Sequence, residues 1–335
     1  MAPEPVGPED HAGPEDHAGP EGGTDPAVRT AGLTKRLRNG IVAVDHLDLV
    51  VGRGRVVGLL GPNGSGKTIT LRILLGLVRP TSGRAFLFGE EVRPGAKVLG
   101  RVGALVDGPG FVPHLSGRRN LELAVRAIEL KGGRADLDRA IGMGQLGEAI
   151  DRPFSTYSHG MGYRLALAQA LLGAPDLLLL DEPTTGMDPS QLAVVHAVIA
   201  DCARAGTTVL LSTHRMSEVE LVCTDAAVLR DGRLVTAGPV ADLIGRSPRV
   251  LMHVDDSEGA IIVLRQVPGV SSVTAARPGA VTVEGESLRP VELCETLVEA
   301  GLAVSGFRPA RLADSYQEML GGPGGESVLS EPGQP

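Results

Sequence analysis

Gly61-Pro62-Asn63-Gly64-Ser65-Gly66-Lys67-Thr68 follows the apolar run Val56–Leu60 and precedes a helical pattern over 69–75. A strand, a glycine-rich turn and a new helix are the parts of a phosphate cradle. Gly61, Gly64 and Gly66 let backbone N–H groups turn inward, and the following helix aims its positive end at the same point. Lys67 adds a mobile cation suited to β- and γ-phosphates, and the Thr68 hydroxyl is placed to ligate Mg²⁺. All eight residues, Gly61 through Thr68, are read as a nucleotide-binding loop. A plain glycine-rich turn with a surface lysine competes with this reading, and the flanking strand and helix disfavour it.

The chain has 335 residues, room for two folded domains, and 42% of them are apolar. Aromatic residues are only 2% and Trp is absent, so the core must be built from Leu, Val, Ala and Ile. That suits buried parallel strands and helix faces. Cys202, Cys223 and Cys294 lie far apart without metal-ligand spacing, so neither a disulfide framework nor a zinc site is expected, and a reducing compartment is.

Seven of the eight net negative charges sit in residues 1–26, which hold Glu4, Glu9, Asp10, Glu15, Asp16, Glu21 and Asp25 and no Lys or Arg. The remainder is nearly neutral and shows no basic stripe, so no nucleic acid partner is expected. The unit Gly-Pro-Glu-Asp-His-Ala occurs at 7–12 and again at 13–18. Such a segment cannot bury enough apolar surface to offset its ordering entropy, so 1–26 reads as a disordered acidic tail. No run of eighteen apolar residues and no signal pattern is present.

From 27 to 245 short apolar strands alternate with helical segments, the pattern of an α/β domain with a mainly parallel sheet. Clear strands are 56–60, 177–180 and 208–212. Between the first two lies an inserted helical subdomain, about 116–174, with Ser116 as its opening N-cap. A second unit, 249–320, reads strand, helix, strand, strand, helix, strand, with a turn at Pro278-Gly279, which is the order of a ferredoxin-like α+β sandwich. A last helix is expected over 310–320 and a disordered tail over 321–335.

A phosphate loop needs a second acidic site for its metal, and Leu177-Leu178-Leu179-Leu180-Asp181-Glu182 supplies it at the end of a buried strand. Asp181 is assigned to Mg²⁺. Glu182 directly after it is placed to polarise an attacking water, which favours hydrolysis over transfer to a substrate. Thirty-two residues later the run 208–213 delivers His214 to the same sheet edge, where ligands of open α/β sheets gather. Glu182 and His214 are the candidate catalytic pair, with a neutral imidazole donating to the γ-phosphate.

Tyr157-Ser158-His159-Gly160-Met161 opens a helix ahead of Asp181. This segment resembles the signature of ATP-binding-cassette (ABC) ATPases, a branch of the P-loop NTPase fold. Asp181 through Asp188 resembles that family's Walker B and D-loop, with Asp188 as the D-loop acid, and His214 matches its switch histidine. The resemblance covers about 30–245. It implies an ATP- and Mg²⁺-dependent ATPase in which two cassettes, this chain with a second copy or a related one, close head to tail. Ser158, His159, Gly160 and Met161 of each copy would then cap the nucleotide held by the other. It also implies a separate transmembrane permease and a cytoplasmic position on the inner face of the cell membrane.

Three departures bear on mechanism. The tyrosine and methionine flanking the signature resemble the drug and antibiotic exporter subgroup. Asp107, in a stretch like the Q-loop, stands where glutamine is usual, as acids do in the bacitracin and lantibiotic exporters; it is a candidate Mg²⁺ ligand or simply a loop acid. Leu37 aligns with the segment that often carries an adenine-stacking tyrosine. A soluble ABC ATPase acting on DNA or ribosomes is the alternative, disfavoured by a single cassette without heptads or a basic face. A P-loop kinase or GTPase is disfavoured by Glu182 and the signature.

Overall fold

The computed structural model describes residues 25–244, 249–285, 288–313 and 316. The acidic repeat and the C-terminal tail expected from sequence lie outside this range, as does most of the expected helix over 310–320.

The chain begins with β1 (Val28–Arg36), β2 (Val42–Leu47) and β3 (Val50–Val51), then enters β4 (Val56–Leu60), α1 (Lys67–Leu74), β5 (Ser82–Leu87) and β6 (Glu90–Glu91). β1 pairs antiparallel with β2, β3 and β5, and β5 with β6, giving a five-stranded antiparallel sheet. This layer departs from the mainly parallel expectation. Its strands mix Thr, Arg and Gly with their apolar residues, and β1 pairs with register shifts on both sides, so no clean two-residue period marks it.

Next come β7 (Val102–Leu105), α2 (Gly117–Leu130), α3 (Leu137–Gly144), α4 (His159–Leu171), β8 (Leu177–Asp181), α5 (Pro189–Arg204) and β9 (Thr208–Thr213). α6 (Met216–Val222), β10 (Asp225–Arg230), β11 (Arg233–Pro239) and α7 (Val240–Ile244) complete the unit. Six strands form one sheet in the order β11-β10-β4-β9-β8-β7, parallel throughout except for the β10–β11 hairpin. Alternation along the central strands divides the core. Leu177, Leu179 and Leu210 pack toward α1 and the antiparallel sheet, whereas Leu178, Leu180, Val209 and Leu211 pack toward α4 and α5. Burial on both faces is why these strands read as unbroken apolar runs.

Ser116 caps α2 as expected, its Oγ accepting from Arg119 N at 3.2 Å. α2, α3 and α4 enclose a separate apolar cluster around Leu121, Ile150, Leu165 and Leu172. α4 serves both layers, since its Leu167 and Leu171 pack on the parallel sheet. The helical layer is therefore joined to the sheet chiefly through this helix, with Met143 of α3 packed beside it.

The last unit contains β12 (Arg249–Val254), α8 (Ser257–Leu264), β13 (Val270–Arg277), β14 (Ala280–Gly285), α9 (Pro290–Glu299) and β15 (Val304–Pro309). Its antiparallel sheet runs β13-β14-β12-β15, with the first and third strands of the unit central, as a ferredoxin-like sandwich requires. Both helices cover one face, burying Ala260, Leu264, Leu293 and Leu297 against Met252, Val281 and Val283. Beyond β15, Leu312 and Tyr316 return to the first unit and pack with Leu60, Val219 and Val228.

Candidate functional site

Strand register assembles the site. β9 lies between β4 and β8, with Leu60 opposite Thr213 and Asp181 opposite Ser212. The residues that follow each strand, Gly61, His214 and Glu182, therefore emerge side by side at the carboxyl edge of one sheet.

The nucleotide loop turns into α1 at Gly66, whose φ is +99°. A Cβ there would sit 2.3 Å from the Ala43 carbonyl oxygen of β2, so both conformation and space demand glycine. Gly66→Ala should destabilise the fold by on the order of 1–3 kcal/mol from its backbone conformation alone. A thermal melt of the purified variant checks this, and an unchanged midpoint would refute it. Lys67 is buried, and its Nζ donates to the carbonyls of Gly61 at 2.7 Å and Pro62 at 3.1 Å. Burial pushes its pKa below the usual lysine value, and Glu182 and Asp181 pull it back toward the charged form. Ser65 Oγ is buried in the loop with no hydrogen-bond partner. An orphaned hydroxyl in the loop that also holds a buried ammonium fits a phosphate group.

Glu182 adopts a left-handed conformation, φ +47°, at the strand end. Its backbone N donates to Ser212 O at 3.2 Å and to Ser212 Oγ at 3.1 Å. Ser212 Oγ itself donates to Asp181 Oδ1, so one serine fixes both acids. The Glu182 carboxylate accepts from His214 Nδ1 at 2.9 Å and from Thr185 Oγ1 at 3.1 Å. This bond changes the role expected of His214. With Nδ1 donating to Glu182, a neutral ring offers only an acceptor at Nε2, so donation to a phosphate requires a ring carrying both protons.

Asp107 takes a left-handed turn after β7, φ +68°, and its carboxylate is held by Arg72 in the last turn of α1, with Nε 3.2 Å from each oxygen. The carboxylate that was a candidate metal ligand or a loop acid thus ties the start of the loop 108–115 to the helix that begins with Lys67. Thr68 is half-buried at the start of α1. Among the described residues no group of three or more His, Cys, Asp or Glu side chains gathers as a metal cage. One hydroxyl and one carboxylate, Thr68 and Asp181, are a hard-oxygen set suited to an ion that arrives with nucleotide phosphates.

Ser158 caps α4, its Oγ accepting from Met161 N at 3.3 Å. His159 is exposed, yet its Nε2 donates to Thr185 O at 3.0 Å and its ring packs on Tyr163 with centroids 4.7 Å apart. It does more than face solvent, because it ties the helix start to the turn after Glu182. Gly160 is buried beside Gln191, and Met161 packs into the helical layer. Asp188 caps α5 through Gln191 N at 3.0 Å and accepts from Ser190 Oγ, and these bonds hold its carboxyl below the usual range. Leu37 closes the turn between β1 and β2, its N donating to Ile41 O at 2.8 Å; the Ala43 carbonyl of β2 then passes close to Gly66.

The ABC transporter family model matches residues 44–185, from the strand beside Gly66 through Glu182 and Thr185. The bacitracin transport ATP-binding protein BcrA of Bacillus licheniformis is 32% identical over 300 residues, 88% of this chain and 97% of its own length. This chain is an ABC transporter ATP-binding protein. The cassette is also 35% identical over 311 residues to the daunorubicin resistance ATP-binding protein DrrA2 of Streptomyces coeruleorubidus, covering 88% of this chain and 95% of that one. Among solved structures, the cassette MJ0796 in a dimeric post-hydrolysis state bound to ADP and Pi aligns with a TM-score of 0.57 at 23% identity, over 63% of this chain and 98% of that one. That likeness establishes a shared fold. The family makes the cassette an ATPase.

Sequence reasoning missed Ser212, Thr185 and Arg72. Ser212 was discoverable in principle, since pairing the runs 177–181 and 208–213 edge to edge sets it against Asp181. Arg72 and Asp107 are 35 residues apart and meet only through the fold.

Proposed function

We propose that this cassette is the motor subunit of an exporter of a drug, antibiotic or peptide, pairing with a second cassette and with a separate membrane permease. The observation that carries the hydrolytic part is the Glu182–His214 hydrogen bond at the sheet edge next to the nucleotide loop. Glu182 accepts the proton of the attacking water, and His214 holds its carboxylate in place. Gly61 to Thr68 cradle the triphosphate of ATP, with Lys67 leaving its loop carbonyls for the β- and γ-phosphates. Thr68 and Asp181 hold Mg²⁺, which neutralises phosphate charge when bound; Asp107 joins them only by releasing Arg72. The α4 start at Ser158, with Gly160 behind it, offers a second helix N-terminus to the γ-phosphate bound by the other copy. Loss of that phosphate opens the pair.

Relatives named for bacitracin transport and daunorubicin resistance support export as the direction of work. Among the described residues no helix is long and apolar enough to cross a membrane; the transport path is assigned to the permease. α2 exposes Leu123 and Leu130, seven residues apart on one side of the helix. Together with the loop 108–115 they offer the permease an apolar contact at the inner membrane face. The full chain expressed in its own cells should sediment with membranes alongside a polytopic protein, and Leu123→Glu with Leu130→Glu should release it. Sedimentation with ribosomes or DNA instead would overturn the transport reading.

Leu37 gives the base apolar contact without ring stacking. ATP and GTP should therefore support hydrolysis with similar efficiency, and Leu37→Tyr should widen the gap in favour of ATP. Comparing kcat/KM for the two nucleotides checks this; a large preference in the unaltered cassette that Tyr leaves unchanged would refute it.

A further inference from the structure

Glu218, in the first turn of α6, is 4% exposed, and its two oxygens are shared between the turn after β8 and the last residue of β9. Thr184 Oγ1 donates to Oε1 at 2.8 Å, and Thr213 Oγ1 donates to Oε2 at 2.7 Å. Thr184 stands two residues after Glu182, and Thr213 immediately precedes His214. The Thr213 hydroxyl also accepts from Arg215 N at 3.0 Å, so it brackets His214 from both sides. His196 Nε2, from α5, lies 3.6 Å from Glu218 Oε1 and makes no hydrogen bond.

A carboxylate removed from water is costly unless its oxygens are satisfied. Burial pushes the Glu218 carboxyl up, and His196, Thr213 and Thr184 together more than offset this, leaving it below its ordinary value. Two charge-assisted bonds to one buried group hold the turn after β8 and the end of β9 at a fixed separation. That separation is the one across which His214 Nδ1 reaches Glu182.

We propose that Glu218 is a positioning residue for ATP hydrolysis: it staples the turn after β8 to the end of β9 and so keeps Glu182 and His214 in register. It lies behind the sheet edge and acts only through Thr184 and Thr213. The inference rests on Glu182 as the base. Nucleotide capture depends on the loop at Lys67, so loss of the staple should lower kcat and leave KM and nucleotide affinity unchanged.

The test measures kcat, KM, binding of a fluorescent ATP analogue and the melting midpoint for the full chain carrying Glu218→Ala, Glu218→Gln or Thr213→Val, with Glu182→Gln alongside. Glu218→Ala and Thr213→Val should lower kcat by about 10–100-fold, the scale of an ångström-level misplacement, with KM and analogue binding held. Gln still bridges two hydroxyls, so Glu218→Gln should recover most of the turnover. If Glu218→Ala does not fold, Thr213→Val, which leaves the buried carboxylate and α6 intact, decides alone. Unchanged kcat in folded Thr213→Val, or parallel loss of kcat and analogue binding, overturns the proposal. Wild-type turnover in Glu182→Gln would instead remove the base reading, a result readable apart from the others.

Discussion

Glu182→Gln slows ATP hydrolysis by about 10²–10⁴-fold, the contribution typical of a positioned general base, while nucleotide affinity holds. The amide keeps the size of the side chain and still accepts from His214 Nδ1 and Thr185 Oγ1, which hold the carboxylate now. It loses the basicity needed to take a proton from water. Because the nucleotide is bound and not cleaved, the variant should accumulate as a closed pair with ATP and Mg²⁺ and separate with ADP. Steady-state turnover, equilibrium binding and sedimentation report the three parts. Near-normal turnover would remove Glu182 from the base role.

Lys67→Ala acts earlier. Its ammonium is the one cation within the nucleotide loop, residues 61–68, and substitution removes contacts to phosphate of the charge-assisted kind, worth roughly 1.5–3 kcal/mol each. Affinity for ATP should fall at least about ten-fold, and turnover should fall with it. The two variants therefore separate capture from cleavage: one binds and stalls, the other binds poorly. Titration of a fluorescent ATP analogue checks the second, and an unaltered dissociation constant would place Lys67 outside the pocket.

The contrast between these residues and the others in the site explains what sequence could show. Lys67, Glu182 and His214 each follow a strand buried on both faces, or its loop, and such strands appear as continuous Leu and Val runs that end abruptly in Gly, Asp or His. The split sandwich of the last unit was equally legible, because alternating apolar residues and the Pro278-Gly279 turn mark β12 to β15 in order. The antiparallel sheet was hidden by strands of mixed composition whose pairing shifts register. Glu218 was hidden differently. In Ser217-Glu218-Val219-Glu220 the two acids look alike, but Glu218 faces β9 and α5 and is buried, whereas Glu220 reaches Leu312 N at 2.5 Å. Which face of a short helix lies inward is decided by the strand it returns to, not by local pattern. Asp107 likewise gave no sign that Arg72 would claim its carboxylate.

His159 and Gly160 show how the signature is supported from within one chain. His159 bonds to Thr185 O, and Thr185 Oγ1 bonds to Glu182. Gly160 lies against Gln191, whose backbone N caps onto Asp188. In the pair proposed above, the surface offered to a second copy would be tied to the catalytic turn of the same copy through these bonds, a physical route by which closure over one nucleotide would bear on the other.

In the proposed pair each triphosphate is held by Lys67 of one copy and Ser158 of the other. Two chains test it, both carrying Glu182→Gln to block cleavage, one with Lys67→Ala and the other with Ser158→Arg on its exposed helix start. Each alone should retain no nucleotide after gel filtration in ATP and Mg²⁺. Mixed, they form one composite site with both halves intact, and the account predicts paired chains retaining half the nucleotide of the Glu182→Gln pair. A mixture that retains no more nucleotide than either chain alone would contradict it.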